Sequence, residues 1–295
     1  MLRALRPVTF FLMVLIYFLL LFGLLVVNSN QVGEVHVNDN QINAMKLEQA
    51  LSVFVVFILP ALLFTGLFSS EGVKYLKIHL LPNWRYIALG VCLILVAMPF
   101  NGLMEEWNKH LSLPGPLKGV EVWMKDTEAK AEVVEKAFMK DNSAQNLFIN
   151  IVLIGLIAAF SEELFFRGVL QGAIQRVSGN IHVAVWTSAI LFSAFHLQFL
   201  GFIPRVLLGA ILGYCFAWSG SIWTTIAMHF TNNVVVLLLG FLIAQGKLPA
   251  SAENLGMESV ASAIPLIGAS LIGTGFCLYR LALLYKLSSK DDTAA

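Results

Sequence analysis

Long apolar stretches alternate with short polar connections along the whole chain, and this pattern predicts the main elements. The apolar stretches are about 20 residues long, which suits helices crossing a hydrocarbon core about 30 Å thick better than barrel strands. We predict eight spans, at roughly 8–28, 49–69, 86–103, 146–170, 182–200, 204–218, 221–244 and 261–284. The first is read as a retained span, because its core is long for a signal peptide and no small-residue cleavage pattern follows it.

The predicted fold class is therefore all-α, a polytopic transmembrane helix bundle of about eight spans. We divide it into a three-span N-terminal region at 1–103, an extramembrane amphipathic segment at 104–145, a helical core at 146–245, and a loop, last span and tail at 246–295. The second segment interleaves lysines with acids, and this mixture is typical of a surface helix. Its predicted apolar face consists of Val133, Val134, Ala137 and Phe138.

Composition supports an integral membrane protein. Hydrophobic residues make up 58% of the chain and charged residues only 13%, an imbalance rare in soluble domains. The formal net charge of +1 gives no indication of nucleic-acid binding, and the lipid bilayer is the expected surrounding. The three cysteines lie far apart within apolar stretches, which favours small core residues over a disulfide or metal framework: Cys92, Cys215 and Cys277.

Basic residues predict the orientation. If the spans alternate, one side carries Arg3 with Arg6, Lys74 with Lys77 and Arg85, Arg176, and Lys286 with Lys290. The positive-inside rule then places both termini in the cytoplasm. The segment at 104–145 carries six lysines on the other side, which weakens the bias, although acids are interleaved with them. The absence of a recognisable eukaryotic targeting signal favours a bacterial cytoplasmic membrane.

Few ionisable residues lie deep in the predicted spans. All five aspartates fall outside them, so a paired-aspartate intramembrane mechanism is excluded, and the only deep carboxylates are Glu162 and Glu163. Of six histidines, His196 and His229 lie well inside. A charged group near the bilayer centre costs roughly 2.5–3.5 kcal/mol on insertion scales, so a chain with so few such groups is expected to use them.

Helix geometry predicts that these groups meet. Glu163 and Arg167 are four residues apart and share a helix face, while Glu162 points about 100° away. Counting from the turn at residue 179, Glu162 is 17 residues back and His196 is 17 forward, so an antiparallel pair brings them to the same depth. His229 and Asn233 share the face of a later helix. A carboxylate, two imidazoles and an amide in one cavity are suited to hydrolysis by an activated water.

The same residues carry a family resemblance. EELFFR, FSAFH and HFTNN match EExxxR, FxxxH and HxxxN motifs in that order on successive helices. Over roughly 145–245, the chain resembles the CAAX protease and bacteriocin-processing family, also called the abortive-infection family, of intramembrane endopeptidases. The segment at 146–245 would then be its catalytic core.

The resemblance implies a role for each matched residue. Glu162 would activate water, with His196 sharing that water, while His229 and Asn233 would form the oxyanion pocket. Glu163 and Arg167 would support the first helix, and an isolated structural ion pair is an equal alternative for these two. The substrate would be a peptide or a membrane-associated protein. We favour no cofactor, although a divalent metal such as zinc would have Glu162, His196 and His229 as ligands.

Two other functions stay open on the sequence alone. A proton-coupled membrane carrier would use Glu162 and the histidines as a relay, but inverted repeats and interrupted helices would be expected in both halves, whereas the polar groups within the spans are confined to residues 162–233. A non-catalytic membrane regulator or immunity protein of the same fold would not need the polar residues Glu162, His196, His229 and Asn233 within its spans. Arg205 and His182, at span ends, are predicted as interfacial groups.

Overall fold

Nine helices form the regular structure of the part of the chain that the computed structural model describes, namely residues 7–31, 41–249, 252 and 260–294. We number them in chain order and, for helices with internal π segments, treat each as continuous. They are α1 (Pro7–Gln31), α2 (Ile42–Leu67), α3 (Trp84–Lys109), α4 (Lys118–Met139), α5 (Ala144–Ser178), α6 (Ile181–Phe195), α7 (Phe202–Ser219), α8 (Ile222–Ala244) and α9 (Val260–Ala294). Arg3 and Arg6, on which the predicted orientation partly depends, lie outside the described residues.

Among the described residues, seven helices are long and apolar enough to span a membrane, and α6 is a shorter apolar helix of 15 residues. The predicted all-helical bundle of about eight spans is confirmed. The helices often run past the predicted spans, and α5 continues to Ser178 rather than ending at 170. Apolar periodicity identifies only the part of a helix that contacts lipid or the protein core. The predicted span therefore does not include the polar end of α5, with Gln175 and Arg176.

Two tight turns connect the helices of the core. Gly179 ends α5 with φ +65°, and Asn180 begins α6 by accepting hydrogen bonds from the N–H groups of His182 and Val183. Gly220, with φ +67°, and Ser221 repeat this arrangement between α7 and α8. Both turns follow from short glycine-containing sequences, and they make α5 antiparallel to α6 and α7 antiparallel to α8.

The connection between α6 and α7 departs from the predicted span at 182–200. The helix ends at Phe195, Leu197 adopts a left-handed φ of +53°, and a single 3₁₀ turn at Phe199–Gly201 leads into α7. We call residues 196–201 the break. Leu197 is buried, so the break folds into the protein.

Aromatic packing holds α5 in the middle of the bundle. Phe165 and Phe166 are fully buried against Phe57 of α2, and Phe18 of α1 meets the ring of Phe166 edge-on. In α5, all eight residues from Leu164 to Gln171 are buried. The first two spans therefore form a wall that fixes the helix carrying the candidate carboxylates.

A separate contact docks α9 on α3. The Ser270 hydroxyl donates to the Val96 carbonyl at 2.6 Å and accepts from the Phe100 N–H at 3.2 Å. The cysteines in the described structure are free: Cys215 and Cys277 are buried, as expected of core residues, but Cys92 is exposed. Cys92 lies beside Cys277 where α3 meets α9, so it is at the edge of the packing and the core interpretation was wrong for it.

Candidate active site

The candidate carboxylates lie in a short α-helical stretch between two π-helical segments of α5. Ala158–Glu163 is α-helical, whereas Ile151–Ile157 and Leu164–Gln171 have the wider i→i+5 pattern. Each π segment rotates the helix relative to a regular one, and such segments are frequent at functional sites. Their effect here is to set Glu162 and Glu163 toward different neighbours.

Glu162 faces both candidate histidines. Its Oε2 atom lies 3.8 Å from Nε2 of His196 and 3.9 Å from Nε2 of His229. The predicted meeting of Glu162 and His196 across the hairpin is confirmed. Glu162 keeps 14% of its side-chain surface exposed and His196 keeps 26%, so this pair is not sealed within the protein. Separations of this size are too long for direct hydrogen bonds, but they allow one water molecule to contact all three groups.

Glu163 is oriented differently and is fully buried. Its Oε1 atom lies 2.9 Å from Nη1 of Arg167, which confirms the predicted pair, and also 2.9 Å from Nδ1 of His229. Arg167 further donates to the Gly209 carbonyl at 3.2 Å. The bond to His229 connects the ion pair to the site, and sequence reasoning did not predict it.

These partners determine which ring nitrogen of each histidine carries a proton. Nδ1 of His196 lies 2.8 Å from the Phe192 carbonyl, which can only accept, so Nδ1 donates. Nδ1 of His229 likewise donates to the Glu163 carboxylate. In the neutral state both Nε2 atoms are then acceptors that face Glu162, and in the protonated state each becomes a donor there.

Phe192 packs between the charged and the imidazole groups. Its ring lies edge-on to those of His196 and His229, with centroids 4.8 and 5.8 Å away, and the Arg167 guanidinium lies 4.7 Å from its centroid. The ring is buried and fills the space beside both imidazoles. It therefore limits the rotation of both histidines.

Asn233 lies one helical turn beyond His229 on α8. Its Nδ2 atom donates to the Ile154 carbonyl in the first π segment at 3.0 Å. An amide nitrogen carries two N–H groups, so this bond leaves a second donor on the same atom. The role of Asn233 at an oxyanion stays a prediction.

Sequence reasoning missed the residues that hold the break behind His196. Asn108, at the end of α3, donates to the carbonyls of Phe199 and Leu200, both at 2.7 Å, and accepts from the Ile203 N–H at 3.1 Å. A lone asparagine 91 residues away gives no signal of this contact in the sequence. Arg205, predicted as an interfacial group, instead donates to the backbone and side-chain oxygens of Gln198.

α4 covers the break from outside the core. Glu128 accepts from the Leu200 N–H at 3.0 Å, Glu135 accepts from the Gln198 amide at 2.6 Å, and the ring of Trp123 lies 5.3 Å from that of Phe199. Burial raises the pKa of Glu128, while the Leu200 N–H and the charge of Arg205 oppose that rise. The predicted helix is present, but it docks mainly through these contacts. Of its predicted apolar face, Phe138 is buried whereas Val133 is 40% exposed.

The site does not have the shape of a closed zinc centre. Tetrahedral zinc with bonds of about 2.0–2.1 Å brings its ligand atoms within about 3.3 Å of one another. Here the carboxylate and imidazole atoms are 3.8 and 3.9 Å apart, and the described residues contain no group of three His, Cys, Asp or Glu side chains suited to a metal ion. Zinc binding by Glu162, His196 and His229 would therefore require these side chains to move closer together.

Comparison with known proteins agrees with the motifs. Residues 144–235 match the family model described as "Rce1-like: Type II CAAX prenyl endopeptidase Rce1-like". The chain is also 27% identical over 176 residues to the uncharacterized protein YpbD of Bacillus subtilis, a match that covers 58% of this chain and 77% of YpbD. No solved structure matches.

The matched segment contains the three motifs and the helices that bring them together. Such a family implies a protease that acts on peptides or proteins in a membrane setting, and the seven apolar helices make this chain an integral membrane protein. Residues 144–235, which contain the three motifs, thus match the Rce1-like family model of type II CAAX prenyl endopeptidases, in agreement with the resemblance that the motifs indicated.

Proposed function

We propose that this protein is an intramembrane endopeptidase that hydrolyses a peptide bond with water activated by Glu162. The observation that supports this most directly is the position of Glu162 Oε2, 3.8 and 3.9 Å from the Nε2 atoms of His196 and His229. A water molecule among these three groups can donate one proton to Glu162 and the other to His196. Its lone pair is then free to attack a carbonyl carbon.

In the first step, the water oxygen bonds to the scissile carbonyl carbon while Glu162 takes a proton. The carbonyl oxygen becomes an oxyanion, which protonated His229 and the second N–H of Asn233 stabilise. In the second step the carbon–nitrogen bond breaks, and the proton held by Glu162 passes to the leaving amine. The immediate products are a carboxylic acid and an amine, and transfer of the acid proton to the amine gives a carboxylate and an ammonium group, so atoms and charges balance.

Glu163 and Arg167 support this chemistry indirectly. The Glu163 carboxylate accepts from Nδ1 of His229, so it fixes the imidazole with its Nε2 atom directed toward the reaction. Arg167 balances the charge of Glu163, which is completely buried. We therefore assign Glu163 as a positioning residue for His229 rather than as a group that touches substrate.

The substrate in this proposal is a peptide or a membrane-associated protein, cleaved in a bacterial cytoplasmic membrane with both termini of the enzyme in the cytoplasm. The matched relative comes from Bacillus subtilis, which supports a bacterial setting. The chemistry requires no metal or other cofactor.

Replacing Glu162 by Gln tests the proposal, because glutamine keeps the shape of the side chain but takes no proton. Peptides released by cells that carry the parental protein or Glu162→Gln are compared by mass spectrometry, with Glu105→Gln, on the surface of α3, as the matched control. We expect cleavage products with the parental protein and the control and none with Glu162→Gln. Parental amounts of product from Glu162→Gln would refute the role of Glu162.

Metal removal tests the metal-free mechanism separately. We expect purified protein to keep its cleavage rate after treatment with a strong chelator and dialysis. Loss of activity that zinc restores would instead assign Glu162, His196 and His229 as ligands.

A further inference from the structure

The connection between α2 and α3 is attached to the bundle along its length. We call residues 69–83 the interfacial segment, because it joins two candidate membrane spans. Two hydrogen bonds from the start of α8 hold it: Trp223 Nε1 donates to the Ile78 carbonyl at 2.7 Å, and the Ser221 hydroxyl donates to the Leu80 carbonyl. The outward side chains of the segment are therefore presented from a fixed backbone.

The outward side of this region combines apolar and basic residues. Leu81 is 84% exposed, and Trp84, the first residue of α3, is 70% exposed. Lys74 and Arg85 are exposed beside them in the chain. A segment between two spans lies near the level of the lipid headgroups, where tryptophan, leucine and basic residues are favoured together. The composition of the exposed side thus suits contact with lipid as well as water.

Most of the basic residues in this region have no acidic partner. Among the described residues, no Asp or Glu side chain forms an ion pair with Lys74, Lys77 or Arg85, and only Arg176 has such a partner, Glu71. The lysines on α4 and at the end of α3 differ, since five of them pair with acids at 2.5–3.0 Å: Lys109, Lys118, Lys125, Lys130 and Lys136. The positive charge of the interfacial segment is therefore not balanced within the described structure.

Lys77 and Arg176 form a cluster where the segment meets the end of α5. The Lys77 Nζ atom lies 4.9 Å from the ring centroid of Phe216, and the Arg176 guanidinium lies 4.4 Å from that of Tyr75. Burial first, and then the positive charge of Arg176, lowers the pKa of Lys77, whereas the charge of Glu71 opposes this. The two cations are thus near enough to repel each other. With a single carboxylate between them, the cluster keeps one net positive charge.

The backbone of Lys77 does not explain why a lysine is present. Its φ is +55°, in the left-handed region, at the end of the 3₁₀ turn Gly72–Leu76. Glycine and asparagine adopt this conformation more readily than lysine does. Lysine at this position therefore adds a charge beside Arg176 but no advantage for the turn.

We propose that Lys77 and Arg176 bind the phosphate group of an anionic phospholipid, whose acyl chains lie along the exposed apolar residues of the interfacial segment. A phosphodiester carries one negative charge, which balances the cluster, and both guanidinium and ammonium groups donate to phosphate oxygens. Basic sites between membrane helices bind lipid headgroups in this way. The exposed Leu81 and Trp84 favour a lipid over free phosphate as the source of the anion. The proposal does not depend on proteolytic activity.

Native mass spectrometry tests this lipid site. Phosphatidylglycerol or phosphatidylcholine with identical acyl chains is added to the purified protein in detergent micelles. The test variant is Lys77→Asn, because asparagine removes the charge and suits the left-handed turn. The matched control is Lys136→Gln, which removes a lysine charge paired with Glu132 on α4.

We expect the parental protein and the control to retain phosphatidylglycerol in preference to phosphatidylcholine. Lys77→Asn should bind phosphatidylglycerol about fivefold more weakly, as expected for one basic residue beside an anionic headgroup. Equal retention of the two lipids by the parental protein, or parental affinity in Lys77→Asn, would overturn the proposal.

Thermal unfolding distinguishes a lipid from other occupants. Phosphatidylglycerol should raise the melting temperature of the parental protein more than phosphatidylcholine does, and this difference should shrink in Lys77→Asn. Inorganic phosphate, compared with chloride at the same ionic strength, should not reproduce the increase. A full increase with inorganic phosphate would identify a site for free phosphate instead. Dimers in the mass spectra that disappear in Lys77→Asn would identify this surface as a contact between two copies of the chain.

Discussion

At the residue scale, the buried carboxylate of Glu163 contributes both to the stability of the fold and to the geometry of the candidate site. Glu163 has no exposed surface, and a single oxygen meets both the Arg167 guanidinium and His229. A buried charge depends on its partners, since removing one of a buried pair typically costs about 3–5 kcal/mol. The same contacts orient an imidazole at the site, so changes here affect stability and rate together.

Replacing Glu163 by Gln should lower kcat about 10²-fold with little change in KM, because His229 loses the carboxylate that holds its Nε2 atom toward the site. The melting temperature should also fall, since Arg167 keeps a buried charge without its partner. The matched control is Glu71→Gln, which loses an exposed pair with Arg176 worth about 0–1 kcal/mol and should leave both quantities nearly unchanged. A parental kcat in folded Glu163→Gln would contradict the positioning role.

Part of this site could be predicted from spacing. The Glu163–Arg167 pair follows from a four-residue interval, and the Glu162–His196 contact follows from equal distances to the turn at 179. The contact between His229 and Glu163 spans 66 residues, and two π segments change the rotation of α5. Sequence spacing does not determine which faces of two helices so far apart in the chain come into contact. The contact between His229 and Glu163 is therefore visible only in the structure.

At the element scale, the break depends on side chains from other helices. Its carbonyls and N–H groups cannot bond within a helix, and buried backbone groups without partners are costly. Asn108 supplies three of the missing bonds and Glu128 supplies another. His196 is the first residue of this segment, so the same bonds hold it near Glu162.

Asn108→Ala should destabilise the fold by about 1–3 kcal/mol for each backbone group that remains without a partner, and should also slow cleavage. The measurements are thermal unfolding in detergent micelles and the cleavage rate of the folded fraction. Asn101→Ala, on the same helix but outside the contacts with the break, should change neither. Unchanged stability in Asn108→Ala would show that water replaces the amide and that the hydrogen bonds from Asn108 to the break do not stabilise the fold.

Acid should weaken the attachment of α4 at its first turn. Lys125 first, then Lys118 and the Leu113 N–H, lower the pKa of Glu121 from 4.5 to about 2. Because the folded-state pKa is depressed, the stabilisation is complete above about pH 4.5 and disappears as the pH falls toward 2. We expect the difference in melting temperature between parental protein and Glu121→Gln to shrink over that interval; a constant difference would contradict this.

The existence of α4 could be predicted from its interleaved charges, whereas its docking could not. Amphipathic composition indicates a surface helix but does not identify its contact surface. The structure uses Trp123, Glu128 and Glu135 for that contact rather than the predicted apolar residues alone. Gly201 and Pro204 in QFLGFIPR allow a break at this point, whereas the contacts with Asn108 and Glu128 that hold it could not be predicted.

At the scale of the whole molecule, small residues set how closely the last span packs on the bundle. A methyl group added at Gly273 of α9 would lie 2.5 Å from Cγ1 of Val96 on α3, whereas at Gly275 it would meet nothing within 4 Å. The number of spans could be predicted from apolar length, but the partner of each span could not, since lipid and protein select similar side chains.

Gly273→Ala should therefore destabilise the protein by about 1–3 kcal/mol through overpacking against Val96. Gly275→Ala, two residues away, is the matched control and should be neutral. Adding Val96→Ala to Gly273→Ala should restore part of the loss, as measured by thermal unfolding. Equal effects of the two glycine substitutions would show that α9 does not pack on α3 at this position.

The shortness of α6 also affects the surrounding lipid. Val183, Trp186 and Ile190 are exposed along one side of this helix, so acyl chains contact it directly. A helix of about 22 Å is too short for a 30 Å hydrocarbon layer, and lipid accommodates such a mismatch by thinning, at fractions of a kcal/mol per Å. The leaflet beside the break should therefore be dimpled, which lets headgroups and water approach His196 without any channel through the protein.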